Sequence, residues 1–157
     1  SFIITFDDSR KEHYEIAAPI LESYGFRGAF FIMTITYNKK NYMSTEQIAE
    51  LHQRGHSIGL HSWDHTMVTK YDSIAWEKQV IKPKAKLEEI IQAPVEYWAH
   101  PNGVYNQAAA QESDKYFKIS FALMSKRDSI YPLQGVRRMI VPNYKAEKLI
   151  QSISKQF

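Results

Sequence analysis

The 157-residue chain is 44% hydrophobic and 24% charged with a net charge of +3, which describes one globular domain long enough for a real core and excludes collagenous, repetitive or disordered classes. With no cysteine it has no disulfide, thiolate metal ligand or cysteine nucleophile. Its Lys and Arg are scattered rather than blocked, so its mild basicity reads as a solvated surface and not a nucleic-acid footprint, and no apolar stretch approaches the roughly 20 residues of a membrane span.

The N-terminus lacks the basic-then-apolar layout of a signal peptide and opens on Ser1 directly before a core strand, which predicts a processed or trimmed piece of a longer parent chain. Phe2-Ile3-Ile4 reads as a buried strand that delivers Thr5-Phe6-Asp7-Asp8 at its C-terminal end. Residues 12–24 carry Ala17, Ile20, Leu21 and Tyr24 at helical spacing; Gly25 is the stop, and Pro19 either begins the regular helix or kinks it. A buried strand over 28–33 follows, then a polar, irregular rim loop over 34–42.

Ser44-Thr45-Glu46-Gln47 is a capping-box pattern for a helix through Arg54, ended by Gly55. The strand Ser57-Ile58-Gly59-Leu60 leads into His61-Ser62-Trp63-Asp64-His65. Trp76, Val80, Leu87 and Ile90 predict a long helix over 73–92 that Pro83 kinks or splits, and 95–99 is the next strand, delivering His100-Pro101-Asn102-Gly103. Asn106 caps a helix through Tyr116, residues 119–124 and 136–141 are strands, and Ala146, Leu149, Ile150, Ile153 and Phe157 form a final amphipathic stripe. Strands alternating with helices imply a parallel α/β sheet, curled into a barrel or doubly wound.

The chemistry-bearing stretches sit at strand C-termini, where such folds place their sites. An Asp-Asp pair alone also fits a helix cap, and a lone His-x-x-x-His is weaker. Together they supply one carboxylate and two imidazoles for a divalent metal with an open coordination position, and leave a second carboxylate to act as a base. Ten Tyr and three Trp suit sugar rings, though most of them must be core or half-buried surface.

Thr-Phe-Asp-Asp followed by His-Ser-Trp-Asp-His resembles the first two motifs of the polysaccharide deacetylases with the NodB homology domain, carbohydrate esterase family 4. The similarity continues through Pro19-Ile20-Leu21, Tyr24-Gly25-Phe26, Ala29-Phe30-Phe31, Gly55-His56-Ser57-Ile58-Gly59, Pro101-Asn102-Gly103-Val104-Tyr105-Asn106 and Arg138-Met139-Ile140-Val141-Pro142. The last two segments resemble most the branch that deacetylates poly-N-acetylglucosamine of biofilms. The resemblance implies one domain over 1–157 with a distorted (β/α)7 barrel, an N-terminal strand of which lies outside this chain.

It also implies a metal-dependent hydrolase that releases acetate from an N-acetylated polysaccharide at the cell surface or outside the cell. Asp8, His61 and His65 would be the ligands of one divalent ion, with zinc the default and cobalt, nickel or iron compatible with the donor set. Asp7 would be the general base, and the main chain of Pro101-Asn102-Gly103 would help hold the oxyanion. Ser62 and Asp64 are expected as supports of the ligands or turn formers, and Trp63 as wall or core.

The chain departs from the family pattern at three points. Asn102 stands where an aromatic residue is usual, and Ala99 where many members carry an Arg that orients the base; Arg137 or Arg138 could reach Asp7 instead. No histidine follows His100, so the usual later general acid has no counterpart, and in the biofilm branch that residue lies upstream of Thr-Phe-Asp-Asp. His100 is a candidate for that role, although a wall position with one ring nitrogen satisfied fits it better. A deacetylase of chitin oligomers or peptidoglycan, or a sugar-binding module that keeps the metal, are the rival readings.

Overall fold

The structure, a computed structural model, describes residues 2–123 and 128–156. Six strands form one sheet: β1 (Thr5–Phe6), β2 (Ala29–Ile32), β3 (Ser57–Leu60), β4 (Tyr97–Ala99), β5 (Ile119–Ala122) and β6 (Val136–Arg137). All five pairings are parallel and the order is sequential, β1 to β6, with Phe30 opposite Ile58 and Trp98 opposite Ser120. Sequential parallel order is the winding of a barrel, and the sheet is a curled half-barrel with helices outside it, as expected of a distorted (β/α)7 barrel.

Period-two alternation sorts the side chains into two layers. Phe30, Ile32, Ile58, Leu60 and Trp98 point outward into the main core beneath the helices, while Ala29, Phe31, Ala99 and Phe121 form a smaller cluster inside the curl. Gly59 belongs to that inner face, where any Cβ would meet the Phe31 ring and the Tyr97 carbonyl.

Both expected prolines act by the same device. A wide turn over His13–Ala17 precedes α1 (Ala18–Ser23), and another over Glu77–Ile81 joins α3 (Ser73–Trp76) to α4 (Lys82–Ile91). Each closes with an N–H bonded five residues back, Ala18 to His13 and Lys82 to Glu77, immediately before the proline. The wider turn relieves the proline ring's clash with the carbonyl four residues earlier and accommodates its missing donor. It also rotates the first helix, so that Ala18 and Leu21 are buried while the predicted Ile20 and Tyr24 are exposed.

Between them lies α2 (Thr45–Gln53), opened by the predicted capping box: the Ser44 hydroxyl accepts from Gln47 N–H at 3.2 Å and the Gln47 side chain accepts from Ser44 N–H at 3.0 Å. Arg54, which caps its C-terminal end, makes a paired bond to Glu22, and buried His56 accepts Gly28 N–H at Nδ1 and donates to Glu22 from Nε2. These bonds fasten the first two helices to the sheet. Asn106 caps α5 (Gln107–Ser113), its side-chain oxygen accepting from Ala109 N–H at 2.9 Å.

Several boundaries differ from expectation. Phe2 and Ile3 are exposed, because pairing with β2 begins only where Ile4 accepts from Ala29 N–H. Segment 34–42 is not wholly irregular: Thr34–Thr36 make a 3-10 turn with both threonines buried. Strand β4 begins two residues later than predicted because Val95 N–H is taken by Glu88. Strand β5 stops at Ala122, and the expected end at Met124 lies outside the described residues. After β6 the pairing ends where Arg138 N–H reaches the Ala122 carbonyl, leaving Ile140 and Val141 exposed. The last helix, α6 (Ala146–Gln156), half-buries Leu149 and Ile153 and exposes Ile150; Phe157 lies outside the described residues. None of the described helices is long and apolar enough to cross a membrane.

Candidate metal centre

Strands β1 and β3 have one strand, β2, between them, so their C-terminal ends open onto the same rim of the half-barrel. Asp7 and Asp8 follow β1 directly. Asp8 and Ser9 both take left-handed backbone conformations, with φ of 70° and 58°, and this sharp reversal turns successive side chains into one site. Ser9 is buried and pins the reversal: its hydroxyl accepts Met33 N–H at 2.7 Å and its carbonyl accepts Met43 N–H at 2.9 Å.

The loop after β3 is built in the same way. Ser62 and His65 have φ of 66° and 69°, and the buried Ser62 hydroxyl accepts His65 N–H at 3.0 Å. Asp64 accepts from the Thr66 N–H at 3.1 Å and from its hydroxyl at 2.7 Å, so Ser62 and Asp64 serve as turn formers. Thr34 and Ile35 donate their N–H groups to the Ser62 and Trp63 carbonyls, tying this loop to the end of β2.

Asp8, His61 and His65 each offer one ligand atom, and these atoms lie within 4.8 Å of one another. His61 Nε2 is 3.5 Å from Asp8 Oδ1, and His65 Nε2 is 3.8 Å from the same oxygen. The His61 ring is buried, and its Nδ1 donates to the Ala99 carbonyl at 2.8 Å, which fixes the tautomer and leaves the Nε2 lone pair facing the carboxylates. Burial pushes the His61 pKa down, outweighing the pull of Asp7, so the imidazole is neutral and able to ligate. Two imidazoles and a carboxylate that converge this closely fit a divalent cation.

Asp7 lies to one side of this trio, its Oδ2 3.7 Å from His61 Nε2. Arg138, just beyond β6, grips it with two bonds of 2.7 Å, Nη1 to Oδ1 and Nη2 to Oδ2, and donates also to the Thr5 hydroxyl at 3.1 Å. Of the two arginines, therefore, Arg138 is the partner. Its guanidinium rests over the Phe31 and Phe121 rings of the inner cluster, 5.3 and 6.0 Å from their centroids. Burial works to raise the Asp7 pKa, but the Arg138 hydrogen bonds and the charge of Arg138 prevail, and the carboxyl is held below its ordinary range.

His100 is fully buried, with its ring stacked on Tyr105 and tilted against Trp98. Its Nε2 donates to the Gln134 carbonyl at 2.8 Å, while Nδ1 has no partner among the described residues. Burial pushes its pKa down to about 4. The following turn carries exposed Asn102, with φ of 59°, between buried Pro101 and Gly103. The Asn102 amide lies 3.4 Å from the His65 carbonyl, so this turn borders the ligand loop.

Ser9 and Gln134 escaped the sequence reading, and Thr5 was read there only as part of its motif, without its contact to Arg138. Gln134 accepts from Ser120 and donates to Asp114 and the Phe117 carbonyl, anchoring the approach to β6. Only Thr5 had a usable signal, since it shares a strand face with Asp7.

A model of the polysaccharide deacetylase family matches residues 1–117. The Bacillus subtilis (strain 168) protein "Putative polysaccharide deacetylase YxkH" is 26% identical over 113 residues, covering 72% of this chain and 40% of its own length. The chain thus spans less than half of that curated relative. Streptococcus pyogenes deacetylase PplD, solved in complex with acetate, superposes with a TM-score of 0.83 at 23% identity over 95% of this chain and 68% of that one. IcaB from Ammonifex degensii superposes with a TM-score of 0.78 at 23% identity over 99% of this chain and 72% of that one. At such identities the two structures share the fold.

Proposed function

The chain belongs to the polysaccharide deacetylase family, and from that premise we propose that it hydrolyses the N-acetyl groups of a poly-N-acetylglucosamine-type polysaccharide, releasing acetate. The observation that carries this reading is the separation of two carboxylates: Asp8 grouped with His61 and His65, and Asp7 held apart by Arg138. One set would bind a metal while the other remains free to move a proton.

Asp8, His61 and His65 would hold one divalent ion, with zinc the default. When bound, such an ion polarises an amide carbonyl and lowers the pKa of water from about 16 towards about 7. Asp7 is ionised at neutral pH and accepts the proton of the attacking water at a carboxylate oxygen. Arg138 is a positioning residue, since its two-pronged grip fixes the plane of that carboxylate. The Pro101–Gly103 turn offers the Asn102 main-chain N–H to the developing oxyanion, a role that does not depend on the side chain. His100 backs the site as a wall, its neutral ring held by Gln134.

The similarity of the Pro-Asn-Gly-Val-Tyr-Asn and Arg-Met-Ile-Val-Pro segments to the biofilm branch supports the choice of polymer. Such a polymer lies outside the membrane, so we infer a site of action at the cell surface or beyond it. The test is acetate release from β-1,6-linked poly-N-acetylglucosamine oligomers with added zinc or cobalt and a chelator control, beside chitin oligomers and peptidoglycan fragments. Chelator-sensitive release from the first substrate is expected. Release only from another would change the substrate, and sugar binding without release from any would identify a binding module.

A further inference from the structure

Four consecutive residues at the C-terminal end of β2 join the two loops that carry the ligand side chains. The Ile32 carbonyl accepts the His61 N–H at 2.8 Å, and the Met33 N–H goes to the Ser9 hydroxyl at 2.7 Å. The Thr34 and Ile35 N–H groups go to the Ser62 and Trp63 carbonyls at 3.2 and 2.9 Å. One short run of backbone thus holds both the residue that follows Asp8 and the residues from His61 to Trp63. The run is itself fixed, because the Thr36 hydroxyl donates to the Met33 carbonyl at 2.6 Å and Thr34 and Thr36 are buried. Of the four bonds only the one to Ser9 uses a side chain, so it is the one a substitution can remove.

These bonds act on strained turns. Asp8, Ser9, Ser62 and His65 all have left-handed backbone, which persists in such residues only where the surroundings hold it. Ser9 is buried and held twice, through its hydroxyl and through its carbonyl, which accepts the Met43 N–H at 2.9 Å. The resulting spacing is close to what a small divalent ion requires. Bonds of about 2.0–2.1 Å in tetrahedral directions put neighbouring donors about 3.4 Å apart. Asp8 Oδ1 stands 3.5 Å from His61 Nε2 and 3.8 Å from His65 Nε2. A carboxylate on a loose turn would have to be ordered each time an ion bound, and that cost would be taken from the affinity.

Building on the metal-binding reading above, we propose that Ser9 is a positioning residue of the metal centre. By taking the Met33 N–H, its hydroxyl sets Asp8 at ligand spacing from the two histidines, and the site gains affinity from donors held in place. The test is zinc affinity, by competition with a chromophoric chelator, in the parent chain and in Ser9→Gly, Ser9→Ala and Ser113→Ala, with urea unfolding of each metal-free chain beside it. Glycine accepts the left-handed backbone without steric cost, and alanine deletes the hydroxyl oxygen alone, so the two changes share one missing atom. Ser113 is as fully buried, and its hydroxyl donates to the Ala109 carbonyl of its own helix, α5.

Both Ser9 variants are expected to bind zinc about 10- to 100-fold more weakly, the scale on which groups that orient ligands act. The visible absorption of their cobalt-loaded forms, which reports the arrangement of the donors, is expected to change as well. Ser113→Ala is expected to keep the parent's affinity and spectrum. Unchanged zinc affinity in the Ser9 variants, a loss of affinity with the parent's cobalt spectrum, or an equal loss in Ser113→Ala would each overturn the proposal while leaving the metal-binding reading standing. Failure of the parent chain itself to bind zinc or cobalt would remove that reading, and the proposal with it.

Discussion

Arg138 and Asp7 are 131 positions apart in sequence and joined by two 2.7 Å bonds across the gap between the first and last strands of the sheet. Among the described residues β1 and β6 are the sheet's edges, and this ion pair with the Thr5 contact spans them. Arg138→Met leaves the Asp7 carboxylate without its donors and is expected to destabilise the chain by about 1–3 kcal/mol, read from urea unfolding. The same change removes a cause of the low Asp7 pKa. The acid limb of the pH–rate profile should then move to higher pH, because a base that protonates more readily is lost sooner on acidification. Arg138→Lys should recover stability better than rate, since a single ammonium cannot reproduce the two-pronged geometry.

His61→Ala and His65→Ala should each abolish stoichiometric metal binding, measured by elemental analysis after dialysis. Asp7→Asn should keep the metal and lower turnover by about 10²–10⁴, the usual scale for a positioned base. Metal loss on Asp7→Asn together with retention in both histidine variants would reverse the assignment of roles.

Gly103→Ala tests the turn that borders the ligand loop. The backbone there has φ of 68°, and an added Cβ would run into the Leu123 side chain. Left-handed backbone costs an L-residue about 1–2 kcal/mol and overpacking adds about 1–3 kcal/mol. A fall in the urea midpoint corresponding to at least about 2 kcal/mol is expected.

His100 should make the fold acid-sensitive. Burial holds its pKa at about 4 in the native state against an ordinary 6.5. Between those values the unfolded chain takes up a proton that the native chain refuses, so stability is full above about 6.5 and falls as pH drops towards about 4. The loss approaches roughly 3 kcal/mol at the lower end of that window. His100→Gln, which cannot titrate, should flatten this part of the stability–pH curve relative to the parent.

The sequence made the metal trio legible because both motifs follow short apolar runs, and a strand hands its next residues to one rim of a parallel sheet. Capping boxes and helix stops were equally readable, as Ser44 and Asn106 show, because they depend on neighbours in the chain. The Arg138 clamp was readable only as a choice between two residues. Strand parity decides it: Val136 packs into the inner cluster, so Arg138, two residues on, shares its face, while Arg137 points the other way. The first helix misled because a wide turn before Pro19 adds a residue to its repeat and rotates the buried face.

The three ligand side chains come from residues 8–65, whereas the grip on the base comes from residue 138. Local opening of the last strand would therefore release Asp7 from its orientation while the ligand trio stays assembled. Damage at the C-terminal edge, by proteolysis or by heat, would yield a species that still carries its ion but leaves its base unoriented, so metal content would overstate the active fraction of a preparation.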